Sequence, residues 1–284
     1  MKKIILLTSL LLQIACGQSF QQGNGKQTED LREYELKGNV KSLEYATYEA
    51  IDKSGEIIAD KEPTYLGVTK ILFDKNGNKT EWNNNRKIPT GIMSDKSIYI
   101  YDGDKLIKEE YYDSDNKKVL YTYEYNKEGY KSKKIKIMDN GETIDKVIYE
   151  YNSKGKLIKE TEDMSDLSPD PMVSTYKYDE KGNLIEYSSF SDYSEAFIKY
   201  KYNEKNQLIE VKKPLIEEGE YTEYFIYDNN DNLLEKRYTN TGYYEDWKEA
   251  RERYELDKQG NWIKKIKYED NRPKEITLRT IEYY

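Results

Sequence analysis

The 284-residue chain carries 46 Lys and Arg against 54 Asp and Glu, a net charge of −8, with 30 tyrosines, one cysteine and no histidine. A net acidic chain argues against binding nucleic acid or anionic lipid through bulk charge, and without histidine the commonest general base and metal ligand is missing. A single cysteine excludes an internal disulfide and a cysteine-based zinc site.

Leu, Ile, Val and Phe make up roughly a fifth of the residues, a level that with high charge marks disordered chains. Disordered chains, however, lack aromatics. Tyrosine buries a large ring while keeping its hydroxyl near water, and it suits half-buried pleated surfaces. Composition therefore predicts a folded, all-β chain with a modest core.

At the amino terminus, Met1-Lys2-Lys3 and the apolar residues 4–14 have the form of a secretory signal. The apolar run is shorter than the ~20 residues of a membrane-spanning helix. It ends at Ala15-Cys16-Gly17, which holds the only cysteine. Small residues before a cysteine resemble a bacterial lipoprotein signal, with Gln13 where leucine is usual. That resemblance implies cleavage after residue 15 and lipid attachment at Cys16; the alternative is an ordinary secretory signal cut nearby. Residues 16–30 read as a flexible polar tether, and residues 31–284 as one β-repeat domain.

From there a single phrase recurs. Taking the residue before each turn as anchor, copies fall at Asp52, Asp74, Asp102, Asn126, Asn152, Asp179, Asn203, Asp228 and Asp257, spaced 22 to 29 residues apart. Pairs such as Tyr123/Tyr125, Tyr149/Tyr151 and Tyr200/Tyr202 precede the anchor with the two-residue period of a strand. Glu124, Glu150, Lys177 and Lys201 lie between them and are predicted to face water. In Asp179-Glu180-Lys181-Gly182, Asp at the first position and Gly three later fit a type I turn closed by a left-handed residue. The same pattern is read at Asp52, Asp74, Asn126, Asn152 and Asp257. Asn206 and Asp231 replace the glycine in two copies, and the Asp102 copy is one residue shorter.

In this register Tyr178 faces Leu184, and Leu157, Leu208, Leu233 and Trp262 repeat the pairing. The following residue is apolar as well (Ile158, Ile185, Ile209, Leu234, Ile263) and must point to the other face. Either a curling sheet covers both faces, which is favoured, or these residues pair between hairpins. Pro63, Pro89, Pro169, Pro171, Pro214 and Pro273 all lie between repeated phrases. Residues 247–254 have helical propensity, but their place before a turn copy favours a strand.

Two strands per copy predict sixteen to eighteen antiparallel strands in sequential order. Because an open twisted sheet rarely exceeds about ten strands, the fold expected is a β-meander of tandem hairpins, curled or superhelically coiled. Its less regular copies before about residue 95 would form a capping end.

The phrase Tyr-x-Tyr-Asp-x-x-Gly-Asn-Leu resembles the YD repeats of the RHS family. Residues 36–43 (LKGNVKSL), 259–265 (QGNWIKK) and 281–284 (IEYY) are similar to small Bacteroidota envelope lipoproteins built from such repeats. The resemblance covers residues 36–284 and implies fold more than function.

No carboxylate stands out from the repeat as a catalytic acid. The oxygen-rich stretches 228–232 and 113–116 suggest calcium, yet lack the full loop spacing and belong in turns. No metal or cofactor is expected. Aromatic residues that break the register are the candidate binding platforms: Trp82, Tyr187, Tyr193, Tyr243, Tyr244 and Trp247. The function expected is a non-catalytic, lipid-anchored scaffold or binding surface for a glycan or another envelope protein, on the periplasmic side of the outer membrane. Alternatives are an accessory of an RHS-type secreted system and a glycan-active enzyme.

Overall fold

The computed structural model describes residues 28–163, 170–191, 194–214, 219–241 and 249–284. A short helix α1 (Glu29–Glu33) is followed by eighteen strands. They are β1 (Val40–Lys53), β2 (Glu56–Phe73), β3 (Lys79–Ile88), β4 (Gly91–Asp102), β5 (Lys105–Tyr112) and β6 (Lys118–Tyr125). Next come β7 (Lys131–Met138), β8 (Thr143–Tyr151), β9 (Leu157–Asp163), β10 (Met172–Tyr178), β11 (Leu184–Ser191) and β12 (Ser194–Tyr202). The last six are β13 (Leu208–Pro214), β14 (Glu220–Tyr227), β15 (Leu233–Asn240), β16 (Glu249–Leu256), β17 (Trp262–Glu269) and β18 (Arg272–Tyr283).

Every strand pairs antiparallel with its sequence neighbours, and β1 pairs with β18 as well, for example Tyr45 opposite Arg279. The meander therefore closes into an eighteen-stranded barrel. Closure removes both free edges, so the early copies form wall strands and not a capping end, and there is no superhelix.

The turn phrase makes the hairpins as its chemistry dictates. At 179–183 the Gly182 amide donates to the Asp179 carbonyl (3.0 Å), while Asp179 Oδ1 accepts from the Asn183 amide (2.8 Å). Gly182, Asn206 and Asp231 all take positive φ, 87°, 61° and 64°. Since the repeat is two strands long, these turns all fall at one rim of the barrel. The Asp52 copy is an exception. Lys53 pairs directly with Glu56 around Ser54 and Gly55, at φ 58° and 96°, a two-residue turn at the opposite rim. Pro63 and Pro273 lie inside β2 and β18, each where the register shifts.

Tyr178 faces Leu184 as predicted, but the next residue, Ile185, is an extra one. Lys177 pairs with Glu186, so the register slips by one beside each such turn. Ile185 and Leu234 are consequently left half-exposed on the outside, not covered by a second layer.

Inward and outward faces differ sharply. Buried Tyr176, Leu184, Ile198, Tyr200, Leu208 and Val211 pack together on the inner side of β10–β13. On the outside, Lys opposes Glu across neighbouring strands, as in Lys133–Glu124 (2.9 Å), Lys159–Glu150 (3.0 Å), Lys264–Glu255 (2.8 Å) and Lys177–Glu186 (2.5 Å).

Residues 28–39 close the barrel at the turn rim. Thr28 caps α1 by accepting from the Leu31 amide (3.2 Å) and donates to the Gly77 carbonyl (2.5 Å). Leu31 and Leu36 are buried with Val40, Leu43, Ile71 and Phe73. Residues 28–30, read as tether, thus belong to the folded domain.

Candidate functional site

Of the residues nominated from sequence, the two described ones, Trp82 on β3 and Tyr187 on β11, lie apart and both point inward. Trp82 points inward from β3, opposite Ile71 and Ser97, and packs on the core beneath the amino-terminal segment. Tyr187 is only 5% exposed, with its ring 5.3 Å from Tyr176 and its hydroxyl 3.1 Å from Ser174 Oγ. It is core and offers no open platform, because the register slip after Leu184 returns it to the inner face. Tyr193, Tyr243, Tyr244, Trp247 and Cys16 lie outside the described residues. The two oxygen-rich stretches are turns. Asp228 Oδ1 accepts from the Asn230 and Asn232 amides (2.8 Å each), and Asp113 Oδ1 from those of Asp115 (2.9 Å) and Lys117 (2.8 Å).

The inner face also holds charge. Beneath the amino-terminal segment, Glu35 accepts from the Trp262 indole (2.9 Å) and lies 3.5 Å from Lys236. Burial opposes its ionisation, but Lys236, Arg279 and the indole bond outweigh it and hold the carboxyl below its usual range. On the neighbouring strands β8 and β9, Glu162 feels Asp145. Burial first, then Asp145, pushes Glu162 up to about 7, against the pull of Lys134.

The outer wall carries the most distinctive arrangement. Tyr224, Arg237, Arg251 and Tyr268 stand directly opposite one another on β14, β15, β16 and β17, forming one row across four strands. They line a groove of about 500 Å³ together with Ile226, Thr239, Glu249 and Asn271. The Arg251 guanidinium sits 4.9 Å from the centre of the Tyr268 ring, and its buried Nε has no hydrogen-bond partner among the described residues. Arg237 gives only its Nε to a carboxylate, Glu235 (2.5 Å), which Arg253 shares at 3.2 Å. Like charges directly opposite destabilise a sheet. Lys199 and Lys212 also face each other, and there too one member is bonded to a carboxylate, Lys212 to Glu220 at 2.9 Å. Sequence reading missed this row because Arg237 and Arg251 become neighbours only through the strand register.

A family described as a protein of unknown function (DUF2963) matches residues 111–162. No curated protein matches the chain. Among solved structures, a porin-like protein from Bacteroides uniformis is 13% identical, with 86% of this chain and 98% of that one covered and a TM-score of 0.48. A porin-like protein from Bacteroides vulgatus is 11% identical over 87% and 99% of the two chains, with a TM-score of 0.29. The TcdB2–TccC3 structure is 12% identical over 92% of this chain and 18% of that one, with a TM-score of 0.31.

Proposed function

We propose that this chain is a non-catalytic, lipid-anchored barrel of a Gram-negative envelope that stands in water and offers its outer wall as a binding surface. The observation that carries the reading is the ion-paired exterior. Lys133–Glu124, Lys159–Glu150 and Lys264–Glu255 lie on the outside at different points around the barrel. A bilayer charges about 2–4 kcal/mol for each Lys or Arg on the lipid face of a spanning barrel near its midplane, so this wall fits water and not lipid. Residues 28–39 seated in one rim further support a surface role over passage through the lumen. A lipid on Cys16 would lie on the same side if residues 16–27 continue outward from Thr28, which is bonded at the turn rim. The opposite rim, and the arginine row towards it, would then point away from the membrane.

Cys16→Ser, followed with labelled palmitate and cell fractionation, tests the anchor. The variant is expected to lose label, leave the membrane fraction and stay monodisperse without detergent. Unchanged labelling, or a released chain that needs detergent, overturns the anchored, water-exposed reading. A glycan array and a panel of purified envelope proteins test the binding role, which fails if neither retains the barrel. Polysaccharide hydrolysis abolished by replacing one carboxylate would overturn the non-catalytic part.

A further inference from the structure

We infer that the groove across β14–β17 is a site for an acidic saccharide, with Arg237 and Arg251 holding the carboxylate of a uronic-acid ring. This rests on the binding-surface reading and adds the chemical class of the ligand. Two observations converge. Arg237 and Arg251 are directly cross-strand, so two positive charges share one short stretch of wall. Neither has its outer guanidinium nitrogens bonded to a carboxylate: Arg251 makes only its contact with Tyr268, and Arg237 gives Glu235 its Nε. A guanidinium fork matches the geometry of a carboxylate. A carboxylate between the two arginines offsets their like charge and meets their outer nitrogens.

The rest of the groove suits a sugar. Tyr224 and Tyr268 bracket the row, and Tyr224 is among the exposed aromatics. The Tyr224 ring can pack against the apolar C–H face of a pyranose, while Tyr268 holds the Arg251 guanidinium in place. Thr239, Asn271 and Glu249 supply hydroxyl, amide and carboxylate groups around the same space, suited to sugar hydroxyls. Glu249 also opposes a ligand charge, yet it stands alone among these lining residues against two arginines. The volume of about 500 Å³ falls within the range of small-molecule sites, ~300–1,000 Å³.

The test is calorimetric titration of the purified protein with trigalacturonic acid, its fully methyl-esterified form, and a hexaglutamate peptide. Trigalacturonic acid is expected to bind, with affinity falling as salt is raised. Esterification and Arg251→Gln are each expected to weaken binding at least tenfold, and Tyr268→Ala at least fivefold. Arg237→Gln is expected to act like Arg251→Gln and serves if the latter melts early; Lys133→Gln, elsewhere on the wall, should change nothing. No binding of the trisaccharide, equal binding of its ester, or unchanged binding by both arginine variants overturns the proposal. Preferential binding of hexaglutamate likewise overturns the saccharide assignment, though it leaves the binding-surface reading standing. That broader reading fails only if no ligand class is retained at all.

Discussion

The Trp262 indole donates a 2.9 Å hydrogen bond to Glu35, joining residues 227 positions apart, and so fastens the amino-terminal segment to the barrel wall. Trp262 occupies the place that Leu184 and Leu208 hold in other repeats, opposite Leu256 in the register. Leucine packs equally well there but has no donor for a carboxylate. The Arg279 guanidinium lies 3.3 Å from the centre of the Trp262 ring and gives an N–H to the Tyr34 carbonyl (3.0 Å). One aromatic thus organises an anion, a cation and a backbone segment at the closed rim.

Glu35→Ala removes an anion from beside Lys236 and Arg279, and loss of one partner from a buried pair typically costs about 3–5 kcal/mol. Because Glu35 keeps some exposure and Lys236 also faces Glu252, about 2–3 kcal/mol is expected. Trp262→Phe keeps a ring but removes one of the donors to Glu35, which retains Lys236, and about 1–2 kcal/mol is expected. Urea unfolding measures both. Losses under about 0.5 kcal/mol for each would mean that residues 28–39 are not part of the cooperative unit.

Gly77 and Gly182 occupy the same turn position with nearly the same φ, +84° and +87°. Alanine at Gly182 meets only the flexible end of Lys156, at 3.3 Å, so the left-handed conformation sets the cost at about 1–2 kcal/mol. At Gly77 the added carbon would lie 2.6 Å from Leu31 Cδ1, in the core beneath α1. Gly77→Ala is expected to cost about 1–2 kcal/mol more than Gly182→Ala, because displaced packing adds to backbone strain. Equal melting points for the two variants would contradict the seating of α1 on that turn.

The wall was legible in the sequence because its causes are local. Alternating tyrosines, an Asp or Asn that folds back on its own turn, and a residue able to take positive φ define each hairpin within ten residues. Closure was not, since pairing Tyr45 with Arg279 depends on the whole circumference. Tyr187 was misread for a smaller reason. The extra residue beside Leu184 is invisible in a simple two-residue period, yet it reverses which side chains face inward. Arg237 and Arg251 look ordinary along the chain, and only the register makes them a pair.

Stability should fall as pH rises from about 5 to 8. Glu162 has its carboxyl raised from 4.5 to about 7, by burial first and then by Asp145, with Glu160 adding to the rise and Lys134 opposing it. The folded state therefore holds a proton that the unfolded chain releases above about 4.5. The stabilisation is complete below that value and is lost as pH climbs through about 7. The loss is on the order of 1 kcal/mol, reduced from the full shift because Glu162 keeps some solvent. Glu252 runs the other way. Burial opposes its charge, but Lys265 and Lys236 hold it at about 2, so its contribution is present above 4.5 and disappears only as pH falls towards 2. Melting temperatures of the wild type and Asp145→Asn between pH 5 and 8 separate these effects. The variant should flatten the decline, and an unchanged slope would assign it to other groups.

Lys213–Glu223 and Lys133–Glu124 are chemically identical pairs, at 2.8 and 2.9 Å, but they sit on opposite faces. The Glu223 side chain is 2% exposed and points into the barrel, where removing its partner leaves a buried charge. Glu124 is 57% exposed on the outer wall, where water replaces the lost partner. Lys213→Met is therefore expected to destabilise by about 3 kcal/mol, and Lys133→Met by less than about 0.5 kcal/mol. Chemical denaturation in detergent-free buffer decides the point. If the order were reversed, the inward and outward faces would be exchanged, and with them the argument that this barrel stands in water.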